Sequence, residues 1–510
     1  MVRAPMATPI PRNEAAFTLA ELVYGTDAQP LGGLSPHAAA SRIVGVSTDS
    51  RSVEAENLFV ALVGERFDGH EHARAALERG ARAVLVSREV DGLSELARSR
   101  GAAVLRVPDT LVSLGDLAHW HRVRWARQHT KATKLVGITG SAGKTTTRLA
   151  VARSLAALGR AVHASTGNLN NAIGVPMSLF GLGPEHDAAV IEIGMNSPGE
   201  IARGTSVAKP DVGLVTLVAA AHTEGVGDVW GVQREKGSLL LGLDADGVAI
   251  VNGDCALTRA TLLCSPARRS IVYGEHEGCD LRLLERRPLG LDGSALRVAL
   301  AWGREAPLQL ELRTALLGRA GAYATLAALA TLVAIVDPLR LEAEALSAAL
   351  ESIDAGELGR LAARRSSDGT VVVDDAYNAN PASMQSSIHA ARELAEAASS
   401  RLVLVLGAMY ELGELSSELH AELGRSAALA GPAALVVVGE LAEPLAEAAR
   451  AELRAAGSDA RVEHVATASE ASVLVRELVR PGDVVLVKAS NSVGLSAVAR
   501  SLFESSSHVH

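Results

Sequence analysis

Aromatic residues make up only 3 % of this 510-residue chain. Surfaces that stack nucleic-acid bases need exposed aromatic rings, so little material for one is present. Positive charge is also in deficit: the formal net charge is −9, and no long run of Lys or Arg occurs. Non-specific binding to phosphate backbones asks for at least a local excess of cations. Nucleic acid is therefore not an expected partner, and an anionic ligand has to be held by local features. Cys255, Cys264 and Cys279 lack the close paired spacing of a zinc site and are too few for a disulfide framework, which fits a reducing cytoplasm. Long apolar runs are missing too. The longest, Ala322 to Val336, falls short of the roughly 20 residues that span a bilayer and is followed by Pro338. Met1 to Pro11 contains Arg3 and Pro5 and no apolar core of signal-peptide length. The expectation is a cytoplasmic protein without a transmembrane segment.

Apolar residues reach 48 %, enough for sizeable cores. At roughly 150 residues per domain, the length suggests three domains. Residues 43–107 alternate short apolar runs (LFVALVG, RAVLVS, AAVLRV) with Ala-rich helical stretches, and a helix is expected over Ser113–Gln128. A second unit opens with the strand KLVGIT and continues through AAVIEIG, DVGLVTLV and GVAIVNG, with helical patterns between several of them. Strands alternating with helices imply a mostly parallel sheet. The Ala/Leu-rich stretch 316–350 reads as helical, and Gly356–Gly359 as a linker. A third unit carries TVVVDDAY, RLVLVLG, AALVVVGE and DVVLVKA, a Rossmann-like pattern. The expected fold is α/β in three domains: 1–130 small and α/β, 131–356 a central P-loop ATPase domain, 357–510 Rossmann-like. The Ser-rich tail from Ser505 is expected to fray.

Between the strand KLVGIT and the next helix lie Gly140, Ser141, Ala142, Gly143, Lys144, Thr145 and Thr146. Glycines let backbone N–H groups approach phosphate oxygens, and the helix N-terminus favours anions. Lys144 would reach the β/γ-phosphates and a threonine hydroxyl would ligate Mg²⁺. The first glycine of the usual pattern would fall at 138, where Ile stands; the glycines here are Gly137 and Gly140. The bland alternative is an ordinary strand–turn–helix, and a phosphate loop alone does not separate a ligase from a kinase or GTPase. Glu192 ends an apolar strand, where ligands gather in open α/β sheets, and would suit Mg²⁺. Read alone, His222 is a structural histidine and Lys236 a solvated helix charge.

Together with this loop, the segments TGNLNN (166–171), EIGMN (192–196) and DDAYNANP (374–381) resemble the Mur ligases. STDSR (47–51) and LFVALVGERFDGHEH (58–72) are similar to the family's nucleotide-sugar domain. The resemblance runs from about residue 43 to about 500 and implies an ATP- and Mg²⁺-dependent amide ligase of peptidoglycan precursor synthesis. TGNLNN and DDAYNANP point to the branch that joins D-alanyl-D-alanine to UDP-N-acetylmuramoyl-tripeptide (UDP-MurNAc-tripeptide) through an acyl phosphate, acting as a monomer. The resemblance also implies residue roles. Lys144, Glu192, His222 and Lys236 are catalytic. Thr145, Glu192, His222 and a carbamylated Lys236 hold metal. Arg360, Asp374 and Asn378 join the loop in contacting ATP. Ser50, Arg51, Thr166, Asn168, Asn170, Asn171 and Asn380 bind substrate; three amides within six residues are costly in a core and useful against sugar and phosphate.

Several positions depart from the family's pattern. Ala320, Gly321 and Ala324 stand where His, Asn and Asn are usual near the adenine. Leu217 precedes the A-H-x-E motif in place of Asn, Ala408 replaces an Asp, and Asn491 replaces an Arg. Two other readings remain at this stage: a paralogous ligase with another amine acceptor, and a nucleotide-binding regulator whose catalysis has lapsed. Dependence of phosphate release on both substrates separates the enzyme from the regulator.

Overall fold

A computed structural model describes residues 11–33, 35–64, 67–129, 133–221, 223–303, 306–336, 341–354 and 359–505. Three α/β sheets of five, nine and six strands follow one another along the chain, with two small two-stranded ribbons. The domain boundaries expected at 131 and 357, the linker 356–359 in all but Gly359, and the tail beyond Ser505 fall outside the described residues.

In the first unit the strands Val46–Ser47, Leu58–Val60, Ala83–Val86 and Ala103–Arg106 run parallel, and Gln29–Leu31 adds an antiparallel edge. The helix Thr110–Gln128 starts earlier than its apolar pattern suggests, because Asp109 accepts the N–H groups of Leu111 and Val112 at 2.7 and 3.0 Å. Its buried face, including Leu114, Leu117 and Trp125, shares one core with strands of both the first and second sheets.

The central sheet is ordered Val162–Ala164, Ala188–Glu192, Lys134–Thr139, Val212–Val215, Val248–Asn252, Arg269–Gly274, Leu281–Pro288, Ser294–Leu300, Leu308–Thr314. Its first seven strands pair in parallel, and four of them, Ala188–Glu192, Lys134–Thr139, Val212–Val215 and Val248–Asn252, read as near-continuous apolar runs, as expected when both faces are covered. The last two pair antiparallel and alternate buried with exposed residues, a weaker signal that the sequence reading passed over. Lys134–Thr139 lies between strands that come after its own chain neighbour, so the chain reverses direction across the sheet there. Open α/β sheets bind ligands at such a point, beyond the carboxyl ends of the strands.

The stretch 316–350 forms two helices, Gly318–Ile335 and Ala343–Glu351. The first is the one helix among the described residues long and apolar enough to cross a bilayer, and most of it lies inside the central core. The third sheet is ordered Ala362–Arg365, Val371–Asp374, Val484–Lys488, Leu402–Gly407, Ala434–Val438, Arg461–Val465, antiparallel only at its first pair. Arg286 of the central sheet pairs with Glu393 on the helix Pro381–Ala397, joining the second and third units.

Candidate active site

The loop after Lys134–Thr139 turns because two glycines permit it. Gly140 has φ +152°, and a Cβ there would meet Thr216 Oγ1 at 1.9 Å; Gly143 has φ +83° and precedes the helix Lys144–Ala157. Ser141 N–H donates to Leu217 O at 2.7 Å, its hydroxyl to Ala219 O at 2.8 Å, and Thr216 Oγ1 to Ala142 O at 2.6 Å. The loop is thus laced to the strand end beside it. Since Leu217 serves through its carbonyl, the departure at that position leaves this contact intact. Lys144 Nζ donates to Gly140 O at 2.6 Å. Burial lowers the Lys144 ammonium to about 8; the Glu192 charge raises it and the Arg360 charge lowers it, so both stand close. Thr146 is half-buried in the helix's first turn.

Glu192 is 1 % exposed. Its Oε1 accepts from Arg148 Nε at 2.7 Å, and its Oε2 lies 3.4 Å from the Thr145 hydroxyl. Mg²⁺ takes oxygen ligands, typically one or two carboxylates completed by waters and substrate phosphates. Glu192 and Thr145 fit that donor set. Among the described residues no group of three or more His, Cys, Asp or Glu stands ready for a metal, so the fit rests on this pair. His222 lies outside the described residues; on its far side Thr223 Oγ1 donates to Leu412 O at 3.0 Å, which docks the segment against the third unit.

Lys236 is not the solvated charge that its sequence context suggests. It sits in the helix Val229–Leu241 at 1 % exposure, and among the described residues it forms no ion pair or hydrogen bond. Burial holds its pKa well below the ordinary lysine value; the nearby Lys144 lowers it further and Glu235 opposes. Both effects make the amine easier to deprotonate than a free lysine.

The third unit reaches the loop through DDAYNANP. Asn380 Oδ1 caps the helix Pro381–Ala397 by accepting Ser383 N–H at 2.9 Å, and its Nδ2 donates to Ser141 O at 2.9 Å. Both ends of the amide are engaged, which links the third unit to the loop. Arg360 stacks over the Tyr377 ring at 4.8 Å, and Tyr377 feels the Glu192 charge. Asn378 Oδ1 accepts Ala379 N–H at 2.8 Å. Asp374 faces its own domain: Oδ1 accepts Ala376 N–H at 3.1 Å, burial raises its pKa, and its charged neighbours include Asp375, Arg500 and Arg364. Sequence reasoning gave no role to the buried pair beneath, in which Lys488 Nζ donates to Asp375 Oδ2 and to Asn378 O. Asp375 Oδ2 also accepts from Ser387 Oγ at 2.6 Å.

The substrate-side residues divide. Thr166 and Asn168 are exposed, and Asn170 packs on Gly194, whose N–H donates to Asn170 O at 2.7 Å. Asn171 Oδ1 accepts the N–H groups of Ile173 and Gly174 at 3.2 and 2.8 Å. In the first unit Ser50 is half-buried, and Arg51 is exposed and paired with Asp49 at 2.8 Å.

Of the other departures, only Gly321 has a steric reason in the structure. A Cβ at Gly321 would come within 2.5 Å of the Leu316 carbonyl. Beside Ala320 and Ala324, the same helix carries Arg319 and Tyr323. Arg319 pairs with Glu275 at 3.0 Å and donates to the Tyr323 hydroxyl, which itself donates to Asp254. Ala408 is fully buried, and Asn491 begins a short turn, Asn491–Val493.

Three family models match in chain order: the Mur ligase family catalytic domain over 42–121, the Mur ligase middle domain over 138–332, and the Mur ligase glutamate ligase domain over 359–491. The UDP-N-acetylmuramoyl-tripeptide–D-alanyl-D-alanine ligase of Synechocystis sp. is 34 % identical, covering 90 % of this chain and 92 % of the relative. The enzyme of the same name from Escherichia coli is 34 % identical over 90 % and 93 %. Among solved structures, MurF from Acinetobacter baumannii superposes with a TM-score of 0.81 at 27 % identity, covering 98 % of this chain and all of that one. MurF ligase from Thermotoga maritima in complex with ADP gives 0.75 at 26 %, covering 91 % and 97 %. A glycine-rich loop, a carboxylate beside it and three matching units lead to one assignment: the chain belongs to the Mur ligase family of ATP-dependent, amide-forming ligases.

Proposed function

We propose that this chain joins the carboxylate of UDP-MurNAc-tripeptide to the amine of D-alanyl-D-alanine in peptidoglycan precursor synthesis, as a cytoplasmic monomer of three domains divided near 131 and 357. The likeness to ligases of that name along most of the chain supports it. The observation that carries it is the grouping of Lys144, Thr145 and Glu192 on the central sheet with Asn380 on the third unit touching the same loop. A carboxylate oxygen of the tripeptide attacks the γ-phosphorus of ATP, giving an acyl phosphate and ADP. The dipeptide amine then adds to the acyl carbon, and the tetrahedral intermediate expels phosphate and loses a proton. Both reactants are anionic, so positioned cations are needed to bring them together.

In this reading the loop amides from Gly140 to Gly143 and the Lys144 ammonium hold the β/γ-phosphates, and Arg360 faces them from the third unit beside Asn378 and Asp374. Glu192 and Thr145 hold Mg²⁺, which when bound neutralises charge on the phosphate oxygens, and His222 holds a second Mg²⁺. The buried Lys236 amine adds to CO₂, loses a proton and becomes a carbamate, an anionic oxygen ligand for Mg²⁺. Ser50, Arg51, Thr166, Asn168, Asn170, Asn171 and Asn380 bind substrate, Ser50 and Arg51 at its uridine-diphosphate end.

The test is ATP-dependent formation of the pentapeptide product by purified enzyme, with phosphate release that requires both substrates. Release with either substrate alone points to the lapsed regulator or to simple hydrolysis. A paralogous ligase with another amine acceptor is favoured only by the departures at Leu217, Ala320, Gly321, Ala324, Ala408 and Asn491. Turnover with other amines and none with D-alanyl-D-alanine would establish it.

A further inference from the structure

Arg148 carries no role in the reading above, yet it touches both halves of the site. It lies three residues after Thr145 on the helix Lys144–Ala157, a spacing that puts the two on one face. Its side chain is mostly buried. Nε donates to Glu192 Oε1 at 2.7 Å, and Nη1 donates to the carbonyl of Ser165. Ser165 in turn accepts the Glu192 backbone N–H on its hydroxyl at 3.2 Å, and it directly precedes the segment Thr166–Asn171.

A carboxylate's last torsion is broad, so a glutamate left alone samples many planes. Here Arg148 occupies Oε1, and Oε2 is the oxygen left facing the Thr145 hydroxyl at 3.4 Å. The second arm of the guanidinium, on Ser165 O, fixes the arginine itself and ties the start of the substrate segment to the same group. A lysine would supply the charge but not a rigid fork serving two acceptors in one plane.

We propose that Arg148 is a positioning residue for the ligation: it orients Glu192 toward Mg²⁺ and keeps the segment Ser165–Asn171 in register with it. The proposal rests on Glu192 being a magnesium ligand. Its positive charge weakens the pull of Glu192 on a cation, but losing an orienting partner of a metal ligand typically costs about 10–100-fold in metal affinity, so orientation outweighs charge relief.

The experiment titrates Mg²⁺ against binding of a fluorescent ADP analogue to the full chain, in wild type, Arg148→Met, Arg148→Lys and Glu192→Gln. In Arg148→Met the Mg²⁺ needed for half-maximal enhancement of binding should rise about tenfold. KM for the UDP-linked substrate should rise with it, while Mg²⁺-free ADP binding and the melting profile stay near wild type. Arg148→Lys should recover only part. Glu192→Gln should abolish the Mg²⁺ response. A wild-type Mg²⁺ curve in Arg148→Met, with the response lost in Glu192→Gln, overturns the role of Arg148. A wild-type curve in both variants overturns the metal role of Glu192 instead. Tighter Mg²⁺ binding in Arg148→Met means that Arg148 only neutralises the carboxylate, which also overturns the proposal. Should the methionine variant fail to fold, the lysine variant decides alone: a wild-type Mg²⁺ curve there overturns it.

Discussion

Asn380 Nδ2 donates to the Ser141 carbonyl at 2.9 Å, so the third unit rests directly on the phosphate loop of the second. The same amide caps a helix through its oxygen, and the two jobs can be separated by substitution. Asn380→Ala removes both and should lower stability by about 1 kcal/mol, the usual worth of such a cap. Asn380→Asp keeps an accepting oxygen for Ser383 N–H but loses the donor and sets a negative charge against the loop. Its melting temperature should therefore stay near wild type while ATP affinity falls further than in Asn380→Ala. Equal ATP affinity in wild type and Asn380→Asp would remove the clasp from the nucleotide site.

Lys144 offers a test that does not depend on turnover. Its ammonium is lowered to about 8 by burial, against roughly 10.4 for a free lysine. A lysine depressed in this way destabilises the fold at low pH. That cost fades as pH rises from about 8 toward the unfolded value, so the free enzyme gains stability across that window. Phosphates placed on Nζ favour the charged form, so nucleotide binding near pH 9 should take up a proton, and binding at pH 7 should not. Calorimetry in buffers of different ionisation enthalpy reads the number directly. No uptake near pH 9 would mean that Lys144 does not meet the phosphates. Lys144→Ala should abolish ligation and weaken ATP binding without loss of fold.

How much of this was legible in the sequence depended on the kind of signal. The central parallel strands announced themselves because strands buried on both faces are apolar throughout, as in KLVGIT and AAVIE, whereas Val162–Ala164, Arg269–Gly274 and Leu281–Pro288 are less buried and were not read. Ser294–Leu300 and Leu308–Thr314 were passed over because one face meets solvent and the apolar pattern is halved. The loop was legible from local spacing, since Gly140, Gly143 and Lys144 act within one turn. Arg148 was not, because its partner Glu192 is 44 positions away and becomes a neighbour only when the strand Ala188–Glu192 pairs with Lys134–Thr139. Asparagines mark a loop without saying whether the amide faces a ligand or the backbone. Asn171 Oδ1 and both ends of the Asn380 amide engage the backbone, whereas Asn168 is exposed.

The buried pair Lys488–Asp375 underlies the DDAYNANP turn, and burial lowers the Lys488 pKa while Asp375 opposes that. Removing one partner of a buried pair leaves an uncompensated charge and typically costs about 3–5 kcal/mol. Asp375→Asn should be destabilised on that scale by chemical denaturation. The double variant Asp375→Asn with Lys488→Met should recover much of the stability but not the activity, because Lys488 also holds the Asn378 carbonyl at 3.1 Å. Full activity in the double variant would show that the pair serves only the fold.

Lys236 provides the sharpest chemical test. A buried lysine with no ion pair among the described residues, its pKa pushed down by burial and by Lys144, is poorly explained as a structural cation. If it works as a carbamate, Lys236→Ala removes an anionic oxygen ligand and leaves a small void. Formate or acetate can then enter and supply the missing oxygens. Ligation should fall steeply in the variant and recover in part with either carboxylate, while chloride at equal ionic strength does nothing. Lys236→Met fills the void with an apolar chain and should show the same loss without rescue. A plain lysine role predicts otherwise. Removing the charge from so buried a place would then leave activity largely intact and could raise stability, with no response specific to carboxylates. Steady-state phosphate release in the two variants, with and without formate, decides between the two. Activity near wild type in Lys236→Ala would end the carbamate assignment.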